Sequence, residues 1–351
     1  MYGHDTSERP VVFIWEVTQA CELSCEHCRA DAQPERHPDE LSTAEGKALL
    51  DSVSGFGDNQ LVVLSGGDPC KREDLVELVE YGTDRGLSMT LTPSGTDALT
   101  ADVIERLAVA GLRRIALSID GPDPDSHDSF RGESGSFEQT LRAAKAVTDA
   151  GLGLQINTTV CKRTVEDLPA LRDLVAELGA VLWSVFFLVP VGRGRVLDPI
   201  DADRSDDVMA WLDDVQANAP FAVKTTEAPH YRRVQQQEGT ETNRRGGVIA
   251  GDGFAFVSHT GEMYPSGFLP ESAGNVRDSD PVDIYRNAEL FERLRDRDEL
   301  EGKCGVCPFR QVCGGSRSRA YAYTGNPLAS DPLCPYVPPE YDGPLPEQQL
   351  P

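Results

Sequence analysis

Residues 11–28 read VVFIWEVTQACELSCEHC, an apolar run followed at once by three cysteines. The apolar part, 11–17, is rich in β-branched residues and predicts a buried strand, and the polar part predicts a loop at its carboxyl end. Within that loop, Cys21, Cys25 and Cys28 have the spacing C-x3-C-x2-C. Three thiols this close in sequence indicate a metal site at the end of the strand.

The segments downstream of this strand continue an alternation of strand and helix. Strands are predicted at 11–17, 60–64, 87–92, 113–119, 152–160 and 181–189. Helices are predicted from Ser42, with a capping box to Glu45, and at 72–84, 100–109, 137–149 (capped by Ser136) and 165–178. Six such repeats predict parallel strands with right-handed crossovers, in either an open doubly wound sheet or a partial barrel.

Polar clusters follow all of the predicted strands. They lie at 21–28, 65–69, 92–95, 118–121, 157–159 and 190–193. In both candidate architectures the carboxyl ends of the strands form the functional edge. We therefore expect these clusters to meet in one site.

The rest of the chain has a different texture. An acidic connector is predicted at 201–245, with a helix at 205–217 and a strand near 221–226. A β-hairpin turning at 259–261 and a helix at 283–297 precede a second group of cysteines. We therefore predict a core domain at 8–200, the connector, a small domain at 246–340 and a tail at 341–351.

Composition and charge exclude several classes of protein. The chain has 351 residues, of which 39% are hydrophobic, enough for a large α/β domain and a small one. Its 58 acidic and 33 basic residues give a net charge of −25, a field that repels nucleic acid and resembles a salt-adapted, halophile-like surface. The sequence has no apolar run of 18 residues and no signal-like start, so neither a membrane span nor secretion is predicted. Nine cysteines without a disulfide context indicate a cytoplasmic protein.

Two metals are compatible with the first cysteine cluster. Three thiolates can bind three irons of a 4Fe–4S cube and leave the fourth iron open to another ligand. Zinc is the alternative, with His27 as a fourth ligand, although its position next to Cys28 is unfavourable for geometry.

The chain resembles the radical S-adenosylmethionine (SAM) enzymes over nearly its whole length. This resemblance rests on the cysteine spacing and on Ser65-Gly-Gly-Asp-Pro, which is similar to the family's GGEP turn with Asp68 in place of Glu. It implies a partial (β/α)6, TIM-like barrel. It also implies that SAM binds the open iron and is cleaved to methionine and a 5′-deoxyadenosyl radical, which abstracts hydrogen from the substrate.

The resemblance also implies which residues bind SAM. Gly66, Gly67, Asp68 and Pro69 belong to the turn that holds the amino group of SAM. Ser118 and Asp120 match the motif of the fourth strand, and Arg131 matches the arginine that pairs with the SAM carboxylate. Asn157 lies at the fifth-strand position and Leu188 at the adenine site.

The second cysteine group has the pattern C-x2-C-x5-C-x20-C. Its members are Cys304, Cys307, Cys313 and Cys334. Structural zinc fits the spacing, but the pattern resembles four of the seven cysteines of SPASM domains. In that family the four belong to one auxiliary 4Fe–4S cluster. Arg317 and Ser266 stand where further cysteines would be, so the resemblance implies one auxiliary cluster in a SPASM- or twitch-like domain.

Within the family, the sequence is similar to enzymes of alternative haem biosynthesis and haem d1 formation. These act on side chains of didecarboxysirohaem or iron-coproporphyrin, although they typically carry Cys where Ser316 stands. The runner-up is a SPASM maturase that modifies a peptide. Arg193, His230, Arg232 and Arg233 are the candidate ligands of substrate carboxylates. The resemblance further implies an electron donor such as ferredoxin or flavodoxin.

Overall fold

The structure is a computed structural model that describes residues 5–240 and 248–347. The strands are β1 (Val12–Thr18), β2 (Leu61–Gly66), β3 (Ser88–Leu91), β4 (Arg114–Ser118), β5 (Gly153–Val160), β6 (Leu182–Phe187), β7 (Ala222–Thr226), β8 (Phe254–Val257), β9 (Glu262–Tyr264) and β10 (Gly274–Asn275). The helices are α1 (Thr43–Ser54), α2 (Leu75–Asp84), α3 (Ala101–Val109), α4 (Pro124–Arg131), α5 (Ser136–Asp149), α6 (Leu168–Glu177), α7 (Ala202–Asn218), α8 (Tyr231–Gln237), α9 (Pro281–Asn287), α10 (Glu289–Arg295), α11 (Gly302–Gly305) and α12 (Arg317–Thr324). No helix of the described residues is long and apolar enough to cross a bilayer.

All ten strands belong to one sheet, in the order β10-β9-β8-β1-β2-β3-β4-β5-β6-β7. The predicted parallel run from β1 to β6 is confirmed. It is longer than predicted, because β7 joins β6 and β8 joins β1, both in parallel. The predicted hairpin is the antiparallel pair β8–β9, so the segment assigned to a small C-terminal domain shares the sheet of the core.

The parallel strands are curved around a central space. Along β1, Phe13, Trp15 and Val17 point outward into the main apolar core between the sheet and the helices. The alternate residues Val12 and Ile14 point the other way and line a cavity that side chains from β2 to β8 also line. This arrangement confirms the predicted barrel-like α/β fold.

Of the two predicted helix N-caps, the one at α1 is present in the structure and the one at α5 is not. The capping box of α1 is confirmed, because the Ser42 side chain accepts from the amide of Glu45 while Glu45 accepts from the amide of Ser42. The predicted cap of α5 is wrong: Gly135 is the N-cap, and Ser136 is the first helical residue. The Ser136 hydroxyl instead lies 3.4 Å from Nε2 of His127.

Four short helices were not predicted: α4, α8, α11 and α12. They carry many polar residues and lack a long apolar stripe; α12, for example, is RSRAYAYT. The predicted helix at 283–297 is divided into α9 and α10, because Ala288 has extended backbone angles. The connector residues 241–245 and the tail residues 348–351 lie outside the described residues, and the domain boundaries stay a prediction.

Candidate functional site

The first cysteine cluster lies in the loop between β1 and α1. Cys21 and Cys25 are buried, and with Leu23 and Ala32 they form a small apolar cluster separate from the main core. The loop is anchored at its ends, since the Cys21 amide donates to the carbonyl of Gln33 at 2.7 Å. All nine cysteines are free thiols, and burial raises the pKa values of Cys21 and Cys25. Three reduced side chains are therefore available as ligands here.

Arg193 holds this loop in place. Its Nε donates to the carbonyl of Cys25 at 2.9 Å, and its Nη1 donates to the carbonyl of Ala32 at 3.0 Å. The amide of Arg193 also donates to the carbonyl of Cys28 at 3.0 Å. Arg193 does not line the central cavity. It positions the cysteine loop, so we no longer expect it to bind substrate.

The turn at the end of β2 packs directly on the cysteine loop. A Cβ atom on Gly66 would lie 2.4 Å from the carbonyl oxygen of Thr18, and one on Gly67 would lie 2.5 Å from that of Ala20. These contacts leave no room for a side chain at either position. Both glycines line the cavity, so their backbone is open to a ligand on that side.

The Asp68 side chain has a structural role in this turn. It is buried and accepts from the hydroxyl of Thr96 at 2.6 Å and from the amide of Cys70 at 3.1 Å. Neither Asp68 nor Pro69 lines the cavity. Asp68 thus connects the turn to the loop after β3, and Pro69 begins a short 3₁₀ turn, Pro69–Lys71.

A buried charged pair lies beside the cysteines. Arg131, the last residue of α4, places Nη1 3.4 Å from Oδ2 of Asp120 and 3.3 Å from Nε2 of His27. The His27 ring stacks on Phe130 with 4.6 Å between ring centres, and burial lowers its pKa to about 4, so it is neutral at pH 7. Nε of Arg131 and Nδ1 of His27 are buried without a hydrogen-bond partner.

The remaining predicted SAM residues also reach this end of the cavity. Ser118, Asn157 and Leu188, from β4, β5 and the segment after β6, all line it. Asn157 accepts through Oδ1 from the Gln155 side chain at 2.7 Å, which orients its amide. Asp120 does not line the cavity itself; it accepts from the amide of Thr159 at 2.7 Å and supports Arg131 from behind.

The second cysteine group converges in the C-terminal part of the chain. Burial raises the pKa values of Cys307, Cys313 and Cys334, that of Cys334 to about 12, and in each case the neighbouring Cys304 raises it further. Nη2 of Arg317 lies 3.8 Å from Sγ of Cys304. The four thiols therefore share one site with cationic side chains next to it.

Two predicted substrate ligands lie next to this second group instead of in the cavity. Arg233 is buried, pairs with Asp206 at 2.5 Å, and its charge lowers the pKa of Cys334. His230 is fully buried; its Nε2 lies 3.1 Å from the hydroxyl of Ser205, and its Nδ1 lies 3.9 Å from Oδ2 of Asp331. Only Arg232 of the four candidates lines the cavity.

Sequence reasoning missed four charged residues of the cavity wall, which are Arg29, Arg114, Lys224 and Glu227. Arg114 has the same strand parity as Ser118, which was a usable signal for a cation on the inner face of β4. Glu227 follows β7 and has a positive φ of 55°. Its carboxylate accepts from the hydroxyls of Ser266 at 3.0 Å and Ser316 at 2.5 Å.

The cavity connects these features. Its volume is about 490 Å³, and it extends from the cysteine loop through an apolar middle to the amino-terminal ends of the strands. The apolar wall includes Ile14, Val63, Phe186, Phe254, Phe256 and Phe268. Among the described residues, no group of three or more His, Cys, Asp or Glu side chains is arranged to hold a single metal ion. A 4Fe–4S cube does not need such a group, because each thiolate binds a different iron.

Comparison with known proteins assigns the family. A model of the radical SAM superfamily matches residues 15–175. An AdoMet-dependent heme synthase of Methanosarcina barkeri is 41% identical over 341 residues, which cover 94% of this chain and 97% of that protein. The chain belongs to the radical SAM superfamily.

Two further proteins are similar to most of this chain, one in sequence and one in fold. A mycofactocin maturase of Mycobacterium tuberculosis is 30% identical over 339 residues, covering 93% of this chain and 83% of that one. The structure of Streptococcus suis SuiB bound to S-adenosylmethionine superimposes with a TM-score of 0.76 at 18% identity, over 94% of this chain and 78% of that chain. The second likeness confirms the radical SAM fold.

Membership of this superfamily makes the protein an enzyme that uses a 4Fe–4S cluster and SAM. The described residues fit both groups. Three free thiols meet at the end of β1, and the Gly66–Gly67 backbone faces the cavity with no space for side chains. Arg131 adds a buried guanidinium with an unpartnered Nε. A 4Fe–4S cluster is therefore favoured over zinc at the first cysteine cluster.

Proposed function

We propose that this radical SAM enzyme is a haem synthase that removes two carboxyl groups from the propionate side chains of iron-coproporphyrin. The support is twofold. The AdoMet-dependent heme synthase of Methanosarcina barkeri is 41% identical to this chain over 97% of its own length. The cavity that starts at the cysteine loop has the apolar walls that a flat macrocycle requires and cationic residues for carboxylates.

The single observation that carries the proposal is the continuity of this cavity. Cys25, Gly67 and Arg131 line one end, and the apolar side chains of β1, β2, β6 and β8 line its middle. A tetrapyrrole placed between those walls lies directly next to the expected SAM position. Proximity is what a short-lived radical needs, since it reacts with the carbon that is nearest.

Each residue at the SAM end has a proposed task. Cys21, Cys25 and Cys28 hold the cluster. The backbone carbonyl groups of Gly66 and Gly67 accept hydrogen bonds from the amino group of SAM. When bound, the cluster and SAM supply the radical that abstracts hydrogen from the substrate. Arg131, supported by Asp120, pairs with the SAM carboxylate through its planar fork.

Further SAM contacts come from three strand ends. Ser118 and Asn157 contact the ribose and the methionine part, and the backbone near Leu188 lies against the adenine. Strand register sets the relative positions of these side chains, because Ser118 pairs with Asn157 and Asn157 pairs with Ser184 across β4, β5 and β6. Strand pairing thus fixes their spacing before any ligand binds.

The second cysteine group is proposed to hold an auxiliary 4Fe–4S cluster. Removing hydrogen and carbon dioxide from a propionate to leave a vinyl group also releases one electron. That electron requires an acceptor, and Cys304, Cys307, Cys313 and Cys334 supply four ligands for one. We propose ferredoxin or flavodoxin as the electron donor and the cytoplasm as the compartment, where thiols stay reduced.

The experiment is anaerobic incubation of the reconstituted enzyme with SAM, a reductant and one tetrapyrrole. Iron-coproporphyrin and didecarboxysirohaem are tested in parallel by absorbance and mass spectrometry. We expect loss of two carboxyl groups from iron-coproporphyrin and none in the Cys25→Ala variant. Loss of two acetate groups from didecarboxysirohaem instead would assign the other haem step.

A peptide substrate is the competing outcome of this experiment. It is favoured by the 30% identity to a mycofactocin maturase. If SAM is cleaved to 5′-deoxyadenosine while neither tetrapyrrole changes mass, the haem proposal is wrong and a peptide maturase becomes the better assignment.

A further inference from the structure

Three cations of the cavity wall come from three different elements. Arg114 begins β4, Lys224 lies in the middle of β7, and Arg232 belongs to α8. All three line the cavity. Their charges interact, because Arg114 and Arg232 each lower the pKa of Lys224. Elements far apart in sequence thus direct positive charge to one region.

Arg114 and Lys224 have no acidic partner among residues 5–240 and 248–347. Neither takes part in a hydrogen bond or an ion pair through its side chain there. Other arginines of the cavity are neutralised: Arg29 pairs with Glu16 at 2.5 Å and Arg131 with Asp120 at 3.4 Å. An excess of positive charge is therefore specific to this part of the wall.

This excess is costly and unexpected in a protein with net charge −25. Arg114 and Lys224 are half-buried and repel each other, so they lose hydration without gaining a counter-ion among the described residues. Burial, followed by the charges of Arg114 and Arg232, lowers the pKa of Lys224 to about 8, and burial lowers that of Arg114. With acidic residues outnumbering basic ones 58 to 33, an ion pair at this place would have been easy to form. A bound anion would remove the cost.

The position of Arg114 relative to SAM is set by β4. Arg114 is its first residue and Ser118, at the SAM end, is its last, so they are about 13 Å apart along the strand. The wall between the two ends is apolar and includes Ala116, Ile14 and Val63. The cavity is therefore cationic at one end, apolar in the middle and built for SAM at the other.

We propose that Arg114 and Lys224, together with Arg232, form a carboxylate-binding subsite that holds the propionate groups of the tetrapyrrole that are not being attacked. This inference rests on the proposed function and names how that substrate is oriented. With its far carboxylates on these cations and its macrocycle against the apolar wall, the substrate presents the opposite edge to SAM. Guanidinium and ammonium groups suit this task, because each donates charge-assisted hydrogen bonds to carboxylate oxygens.

The test measures binding of iron-coproporphyrin to the reconstituted holoenzyme by absorbance titration. Arg114→Gln and Lys224→Gln are each expected to weaken binding at least about tenfold, the effect of losing one charge-assisted hydrogen bond. The matched control is Arg113→Gln, because Arg113 is the exposed neighbour of Arg114 and does not line the cavity. Its affinity is expected to equal that of the wild type.

A second ligand separates charge recognition from loss of fold. The tetramethyl ester of iron-coproporphyrin keeps the macrocycle but lacks carboxylates, so both variants are expected to bind it as the wild type does. Wild-type affinity of both variants for the free acid, or equal weakening for acid and ester, would overturn the subsite.

The two proposals fail in different ways. If the wild type converts iron-coproporphyrin to haem and the variants bind it normally, only the subsite is wrong. If the wild type neither binds nor converts the tetrapyrrole, the haem function is wrong, and the subsite for its propionates fails with it.

Discussion

Arg131 is buried next to the cysteine loop, and its immediate surroundings explain why arginine is needed there. One side of the guanidinium faces Asp120 and His27, and Nε has no partner. His27 is neutral at pH 7 because burial lowers its pKa to about 4. Asp120 is thus the carboxylate that pairs with Arg131, and the side of the guanidinium with the unpartnered Nε remains for an anionic group.

Replacing Arg131 with lysine is expected to weaken SAM binding at least about tenfold. The ammonium keeps the charge but loses the planar fork that pairs with a carboxylate. Equilibrium dialysis of labelled SAM against anaerobically reconstituted protein measures the effect. Arg163→Lys is the control, because Arg163 lies over the Phe130 ring but is exposed and pairs with Glu26. Equal affinities in the two variants would contradict the assigned role of Arg131.

Lys224 makes binding of a carboxylate ligand pH-dependent. Its pKa of about 8 is below the usual lysine value, so the side chain is charged below pH 8 and becomes neutral above it. The charged groups that act on it are Arg114 from β4 and Arg232 from α8, and both lower its pKa.

Affinity for iron-coproporphyrin is therefore expected to decrease as pH rises from about 7.5 to 9.5. In Lys224→Arg the decrease is expected to be much smaller, because arginine keeps its charge throughout this range. Absorbance titrations at several pH values measure both. A wild type and a variant with the same pH profile would show that Lys224 does not bind the ligand.

At the scale of elements, the N-terminus of α1 is tied to the β8–β9 hairpin region. Glu45 completes the capping box with Ser42 and also accepts from Nε of Arg277 at 2.6 Å. The hydrogen bond from Arg277 and those from Ser42 lower the pKa of Glu45 to about 2, so it is ionised at neutral pH. Arg277 also donates through Nη1 to the carbonyl of Thr260 at 2.7 Å, within the hairpin turn.

Replacing Glu45 with alanine is expected to lower the free energy of unfolding by about 0.5–2 kcal/mol, the usual contribution of a helix cap. The surface ion pair with Arg277 adds little to this. Denaturant unfolding at pH 7 measures the change. Glu80→Ala is the control, since Glu80 is exposed on α2 with no hydrogen bond. A change at Glu45 no larger than at Glu80 would show that the cap is not stabilising.

The elements also show what the sequence could predict. The six βα repeats and the polar strand ends were readable, because β-branched runs and helix periodicity are local signals. The parallel pairing of β8 with β1 was not readable, since it joins residues that are over 200 positions apart and depends on the whole barrel. His230 and Arg233 were predicted to bind substrate carboxylates. Local sequence does not reveal that both are buried and already bonded to Ser205 and Asp206.

At the scale of the whole molecule, two groups of cysteines lie at separate sites. The first belongs to the barrel and the second lies near α11 and α12, with Cys304 within α11. We propose that seven of the nine free cysteines bind two clusters. The chain is therefore expected to carry more iron than the cysteine loop alone can hold.

Anaerobic reconstitution is expected to yield about eight irons per chain, as two 4Fe–4S clusters require. Replacing Cys21, Cys25 and Cys28 together with alanine is expected to reduce this to about four. Iron and acid-labile sulfide assays measure both. A single zinc bound to the triple variant would show that the second group is a structural zinc site.

The central claim is that the cavity joins SAM to the propionates of a tetrapyrrole. The most direct measurement uses iron-coproporphyrin with deuterium on the β-carbon of each propionate, the ring-bound CH2 group from which the radical abstracts hydrogen. The account predicts that deuterium appears in 5′-deoxyadenosine while haem forms with loss of two carboxyl groups. Formation of 5′-deoxyadenosine without deuterium, with the tetrapyrrole unchanged, would contradict it.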